Sequence, residues 1–188
     1  MSTNIENAVR RTIGQIQNCS EFQIKGGTML LAKDTKEYLE RKQGEVPSEF
    51  TRVYNRTLSD QPEWIDKKLS QPLTKTNLPD GFARQAEQGD YDVSPLTEDI
   101  YHEWIVYPGE EYLQECSKAF NDIICGEGGI RSRLNPKSIT TTDLAFNVAI
   151  LLLTTTLGMQ AVWVPLACFI GMYVAKIGLE KFCDFSTV

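Results

Sequence analysis

The feature that most constrains this chain is an uncharged apolar run near its C-terminus. It extends from Leu144 to Ala175 and holds 32 residues without Asp, Glu, Lys, Arg or His. Such a segment avoids water, either inside a bilayer or inside a folded protein. As one straight helix it would span about 48 Å, against a hydrocarbon core of roughly 30 Å. We therefore expect the run to bend.

The expected bend is at Gly158, which starts the least apolar step of the run. A break there leaves two arms, 139–157 and 159–177, of 19 residues each. These are near the lower limit for a helix that crosses a bilayer. Together they predict a C-terminal apolar helical hairpin over 139–182, transmembrane or re-entrant. Basic residues flank it on both sides and none lies in the turn, which by the positive-inside tendency places both ends in the cytosol. These residues are Arg131, Arg133, Lys137, Lys176 and Lys181.

Small residues recur at intervals of four in both arms, and this spacing predicts close helix packing and a homo-oligomer. A second pattern is polar. Asn147 and Thr154 are seven residues apart, and this spacing predicts a polar line along one side of the helix, which faces a pore or the neighbouring arm. The small residues are Ala145, Ala149, Ala167, Gly171, Ala175 and Gly178.

The same run also suits a buried hairpin in a soluble protein. Asn147, Thr154 to Thr156 and Gln160 make it less apolar than a typical anchor. In this alternative the hairpin forms the core, or an oligomer interface, of a cytoplasmic all-α module. Both interpretations stay open at this point.

Residues 1–130 predict a mostly helical cytosolic domain, joined by a linker (131–138) to the hairpin and a short tail (183–188). Helices are predicted over 3–17, 35–43 and 82–88. The overall fold class is therefore mainly α. One exception is expected near 21–32, where two short runs flank Gly26-Gly27 and predict either a short β-hairpin or a plain loop.

Two prolines bound the next predicted helix. Ser94-Pro95 is a favourable start, and Pro108 is expected to end the helix and to permit another. That second helix carries an apolar stripe from Tyr112 to Ile124, with Gly126 as its C-terminal cap.

Negative charge is concentrated before the hairpin. The formal net charge is −6, and the four charged residues after Asp143 cancel. Such a chain is not expected to bind nucleic acid, whose affinity comes mainly from Lys and Arg. The stretch 85–117 holds nine acidic residues and no Lys or Arg. It predicts either a solvated helix surface, a docking face for a basic protein or a weak cation site at Asp90 and Asp92. The predicted acidic docking face consists of Asp90, Asp92, Glu98, Asp99, Glu103, Glu110 and Glu111.

Candidate catalytic chemistry is limited to one group. His102 follows Glu98 and Asp99 by four and three residues, so the three share one side of a helix. A carboxylate with a histidine can do acid–base work, but a second histidine or a cysteine pair is missing, and phosphate-loop, hydrolase and zinc-protease motifs are absent from the sequence. We expect no cofactor or metal, and a non-enzymatic protein is favoured.

The five cysteines are odd in number and form no Cys-x-x-Cys pair. This predicts reduced thiols in an intracellular protein, and the polar N-terminus predicts no secretory signal. The leading hypothesis is a membrane-associated protein whose cytosolic domain senses or docks, while the hairpin anchors, oligomerises or perturbs the lipid bilayer. A defence- or toxin-type effector has this layout by analogy. The alternative is the soluble interaction module described above.

Overall fold

The computed structural model describes residues 2–59, 81–89, 91–97, 103–127, 129–130 and 139–185. Throughout these residues the regular structure is helical, which confirms the mainly α class. Short 3₁₀ turns lie at Ser94–Thr97 and Ala161–Trp163, and a π-turn at Leu153–Leu157. The α-helices within the described ranges are α1 (Ser2–Ile16), α2 (Glu21–Lys42), α3 (Ser48–Thr57), α4 (Phe82–Glu87), α5 (Glu103–Ala119), α6 (Asn121–Cys125), α7 (Thr141–Leu152), α8 (Val164–Ile177) and α9 (Leu179–Asp184).

Residues 21–32 form part of a helix, so the predicted β-hairpin is wrong. Ser20 begins α2 with a capping box, in which its hydroxyl accepts from the Gln23 backbone N–H while the Gln23 side chain accepts from the Ser20 N–H. These two bonds satisfy donors that a helix start otherwise leaves unpaired. Gly27 serves close packing instead of a turn, because a Cβ there would overlap the ring of Phe169.

Pro108 does not end a helix, contrary to the sequence prediction. It lies inside α5, in the second turn, where it removes one backbone hydrogen bond to the carbonyl four residues earlier. Burial of Tyr112, Leu113 and Cys116 on the same helix offsets that loss. The predicted stripe to Ile124 is divided between α5 and α6, and Gly126 caps α6 as predicted.

The uncharged run folds back on itself at Gly158, whose φ of +101° is a conformation that glycine adopts without strain. Thr140 caps α7 by accepting from the Asp143 N–H at 3.1 Å. The returning helix, α8, packs against α7 on one side and against α1 and α2 on the other. Both arms and the N-terminal helices share one hydrophobic core. The division into an acidic domain, a linker and a separate hairpin unit stays a prediction.

Two cysteines are joined, which corrects the expectation that all five thiols are reduced. Cys125, at the end of α6, forms a disulfide with Cys183 in α9, with their Cα atoms 5.7 Å apart. The closed loop contains both arms of the hairpin. Cys19, Cys116 and Cys168 are buried free thiols.

Within the described ranges, none of the helices is both long enough and apolar enough to cross a membrane, so the predicted transmembrane helix is not supported.

Candidate interaction surface

Helices α2 and α5 cross with their backbones in contact. At Gly109 of α5, a Cβ would overlap the carbonyl oxygen of Lys25 in α2. Only a residue without a side chain allows this approach. The first turns of α2 therefore lie beside the part of α5 that surrounds Gly109. We call the residues on the outside of this contact the crossing surface: Glu21, Phe22, Lys25, Tyr107, Glu110 and Glu111.

A salt bridge lies at the middle of the crossing surface. The Lys25 ammonium is 2.9 Å from Oε2 of Glu110, and the lysine side chain is 12% exposed. The Gln114 amide donates to the other oxygen of Glu110 at 3.3 Å. The Lys25 ammonium also lies 5.5 Å from the centre of the Phe22 ring. Lys25 and Glu110 therefore neutralise each other and hold the two helices together.

Two aromatic rings project from the crossing surface into solvent. Phe22 is 62% exposed and Tyr107 is 60% exposed, and they are the large hydrophobic side chains that stay exposed among the described residues. Phe22 is three residues before Lys25, and Tyr107 three before Glu110, so each is one helical turn from the salt bridge. Each exposed ring thus lies close to the same salt bridge, one on α2 and the other on α5.

Two carboxylates at the crossing surface keep their charge unneutralised. Glu21 and Glu111 are exposed, and neither forms an ion pair with the part of the chain that the structure describes. Glu111 follows Tyr107 by four residues, and Glu21 precedes Phe22 directly. Burial raises the pKa of the nearby Tyr173 hydroxyl, and the charges of Glu110 and Glu21 raise it further. The six residues of the crossing surface together carry three carboxylates and one ammonium group.

The predicted acidic docking face is only partly brought together. Glu110 and Glu111 lie on the crossing surface, and Glu103 begins α5. Asp92 instead caps a turn, where it accepts from the Ser94 N–H at 2.9 Å and from the Ser94 hydroxyl at 2.8 Å. The other predicted members, Asp90, Glu98 and Asp99, lie outside the described residues.

The candidate catalytic group also falls outside that description. His102 lies there together with Glu98 and Asp99, so the predicted acid–base cluster stays a prediction. Within the ranges that the structure covers, no group of three or more His, Cys, Asp or Glu side chains could hold a metal ion.

Three of the six predicted small-residue positions meet at the contact between α7 and α8. A Cβ on Gly171 would be 2.5 Å from the Ala145 carbonyl oxygen and 3.3 Å from the Ala149 nitrogen. Ala167 is fully buried, whereas Ala175 is half-buried. Gly178 ends α8 with a φ of +95°. The contact is thus made within the chain, by Gly171 on two alanines.

The predicted polar line lies on the exposed side of α7. The Asn147 amide donates to the Asp143 carbonyl at 2.8 Å, and the Thr154 hydroxyl donates to the Ile150 carbonyl at 2.9 Å. Both bonds stay within their own helical segment.

Sequence reasoning missed Phe22 and Tyr107. The sequence predicts a short β-hairpin or a loop around Phe22, and it places Tyr107 at the end of a helix that stops at Pro108. The capping box Ser20-x-x-Gln23 is the signal that could have revealed α2. On that helix, Phe22 falls away from the buried side that holds Ile24 and Leu31.

Comparisons with models of protein families, with curated proteins and with solved structures found no match.

Proposed function

We propose that this protein is a non-enzymatic, all-helical interaction module in which the apolar hairpin forms the core and the surface binds another protein. One observation carries the proposal: every residue of α8 from Val164 to Val174 is buried. A segment that is enclosed on all sides by its own chain has no apolar face left for lipid. Its role in this form is to stabilise the fold.

The packing around α8 supports this role. Phe169 fills the space left by Gly27 of α2, and the Cys168 thiol points to the Val9 carbonyl of α1 at 3.8 Å. Trp163, just before α8, packs its ring edge-on against Phe50 of α3, with ring centres 4.9 Å apart. Helices α1, α2 and α3 therefore all pack against the second arm.

The binding function is assigned to the outside of this core. Most exposed side chains on the described helices are polar or charged, and the crossing surface departs from that pattern with two exposed aromatic rings. Aromatic side chains in such positions commonly anchor protein–protein contacts. Its negative charge favours a basic protein, which is the partner that the acidic stretch predicts.

The proposal is tested by extracting the full-length protein without detergent and following backbone hydrogen exchange. We expect one monodisperse species in aqueous buffer, with the slowest exchange in α8, because its amides open only with the whole core. Recovery only in the detergent fraction, or fast exchange throughout α8, would overturn the proposal. Peptides from α3 provide the internal reference for local opening.

A second candidate is the membrane-acting hairpin, and the Gly171 contact favours it. Small residues that bring two helix backbones together are typical of pairs that associate in lipid. Here α7 and α8 would leave α1 and α2 and enter the bilayer as one oligomerising unit, which the other helices control. Release of a trapped dye from phosphatidylcholine–phosphatidylglycerol vesicles by the full-length protein would support this candidate and count against the first. Intact vesicles at every protein concentration would remove it.

A further inference from the structure

The crossing surface has the composition of a docking site for one kind of segment. We propose that it binds a basic amphipathic segment of a partner protein, whose apolar side chains cover Phe22 and Tyr107 and whose Lys or Arg side chains pair with Glu21 and Glu111. This inference rests on the proposed function and names the partner class for it.

The partner segment must be basic because some acidic side chains of the crossing surface are not neutralised within the described residues. Glu110 is paired with Lys25 at 2.9 Å and accepts from Gln114, so it has little charge left to offer. Glu21 and Glu111 have no such partner among the described residues and are exposed. Two free negative charges flank the rings, and a basic segment complements them.

The apolar requirement follows from the rings. Phe22 and Tyr107 are each about three-fifths exposed, and they are the exposed large hydrophobic side chains among those whose burial the structure describes. An exposed ring that a partner desolvates contributes binding energy through its area. The ring of Phe22 is also held in place by the Lys25 ammonium, so less side-chain freedom is lost on binding.

The rings and carboxylates also set the shape of the occupant. Tyr107 and Glu111 are one helical turn apart on α5, and Glu21 and Phe22 are neighbours on α2. A partner must therefore place apolar and basic groups side by side in both halves of the contact. An amphipathic segment does this, whereas nucleic acid or an anionic lipid surface would be repelled by the same carboxylates.

The test uses a fluorescein-labelled synthetic helix of Leu, Trp and Arg, and a matched peptide in which Glu replaces every Arg. Binding to the full-length protein is followed by fluorescence anisotropy at low and high salt. We expect the basic peptide to bind, with affinity that falls several-fold as salt screens the carboxylates, and the acidic peptide not to bind. Equal binding of both peptides would overturn the proposal.

Variants then locate the site. Phe22→Ala and Tyr107→Ala should each weaken binding about tenfold or more, the usual size for an aromatic anchor. The double variant Glu21→Gln, Glu111→Gln should weaken it about threefold to tenfold and flatten the salt dependence. Glu37→Gln is the matched control, since Glu37 is an exposed acid farther along α2, and should bind like the wild type. All these side chains are exposed, so circular dichroism should show unchanged folding.

Three results would contradict this assignment. If both ring variants bind the peptide with wild-type affinity, the rings do not contribute to binding. If Glu37→Gln weakens binding as much as the double variant does, the effect comes from net charge and not from this surface. If the wild type forms dimers at high concentration and Phe22→Ala abolishes them, a second copy of this chain occupies the surface instead. If the protein can be extracted only with detergent, the proposed function itself is wrong. The extraction experiment shows this before any peptide is added.

Discussion

The two arms of the apolar hairpin have similar compositions and different surroundings. In α8 the buried residues run without interruption from Val164 to Val174. In α7 burial follows one side of the helix, and the opposite side is exposed at Asn147 or half-buried at Phe146 and Ile150. The buried side of α7 consists of Leu144, Ala145, Val148, Ala149 and Leu152.

The difference shows what an uncharged run does and does not signal. Absence of charge indicates that a segment is apolar overall, but polar side chains decide how far it enters a core. Asn147 and Thr154 satisfy their polar groups on carbonyls of their own segment, which suits an outer helix. The buried part of α8 has no Asn, Gln, Ser or Thr, and apart from the Cys168 thiol and the Tyr173 hydroxyl its side chains are apolar, so it can be enclosed. Both arms could still move together, and variants can separate their roles.

The largest expected effect is at the contact between the arms. Gly171→Leu places a side chain where even a Cβ would be 2.5 Å from the Ala145 carbonyl. Because backbone cannot move aside as a flexible side chain can, we expect a loss above about 4 kcal/mol, or no folded protein. Urea unfolding followed by circular dichroism measures this.

The control for that variant is Gly14→Ala in α1. A Cβ at Gly14 would meet nothing within 4 Å, so this change should stabilise α1 by about 0.5 kcal/mol through helix propensity. A wild-type unfolding midpoint for Gly171→Leu would mean that the two arms do not pack as described.

The second prediction compares one phenylalanine from each arm. Phe169 of α8 is fully buried, and Phe169→Ala should cost about 3–5 kcal/mol because it leaves a cavity. Phe146 of α7 is half-buried, with the Arg10 guanidinium 4.1 Å from its ring centre. Phe146→Ala should therefore cost only about 1 kcal/mol. Equal losses in urea unfolding would remove the distinction between the arms.

The third prediction concerns the base of the hairpin. The disulfide between Cys125 and Cys183 encloses both arms in one loop, and it should stabilise the fold by about 2–4 kcal/mol by restricting the unfolded chain. Reduction of the wild type should lower the urea midpoint accordingly. The double variant Cys125→Ser, Cys183→Ser should start from that lower midpoint and should not respond to reductant. If reductant leaves the urea midpoint of the wild type unchanged as well, the disulfide does not stabilise the fold.

Much of the helical framework could be predicted from local signals. The bounds of α1, the cap at Gly126 and the reversal at Gly158 follow from periodicity and from glycine chemistry. Local signals failed where a distant residue matters: Phe169 occupies the space that a Cβ at position 27 of α2 would need, and Cys125 finds its partner 58 residues away. Of the six residues of the crossing surface, the sequence predicts only Glu110 and Glu111, and it does so from their charge.

The smallest expected effect is on the outer side of α7. Asn147→Leu removes a side chain that bonds only the Asp143 carbonyl of its own helix, so stability should change by less than about 0.5 kcal/mol. Thr12→Val is the buried counterpart, because the Thr12 hydroxyl is fully buried and bonded to the Tyr91 hydroxyl at 2.7 Å. That change should cost about 1–3 kcal/mol by leaving a buried polar partner unpaired. A similar cost for Asn147→Leu would place Asn147 against a neighbour, in this chain or in another copy, and α7 would then resemble α8 in being enclosed.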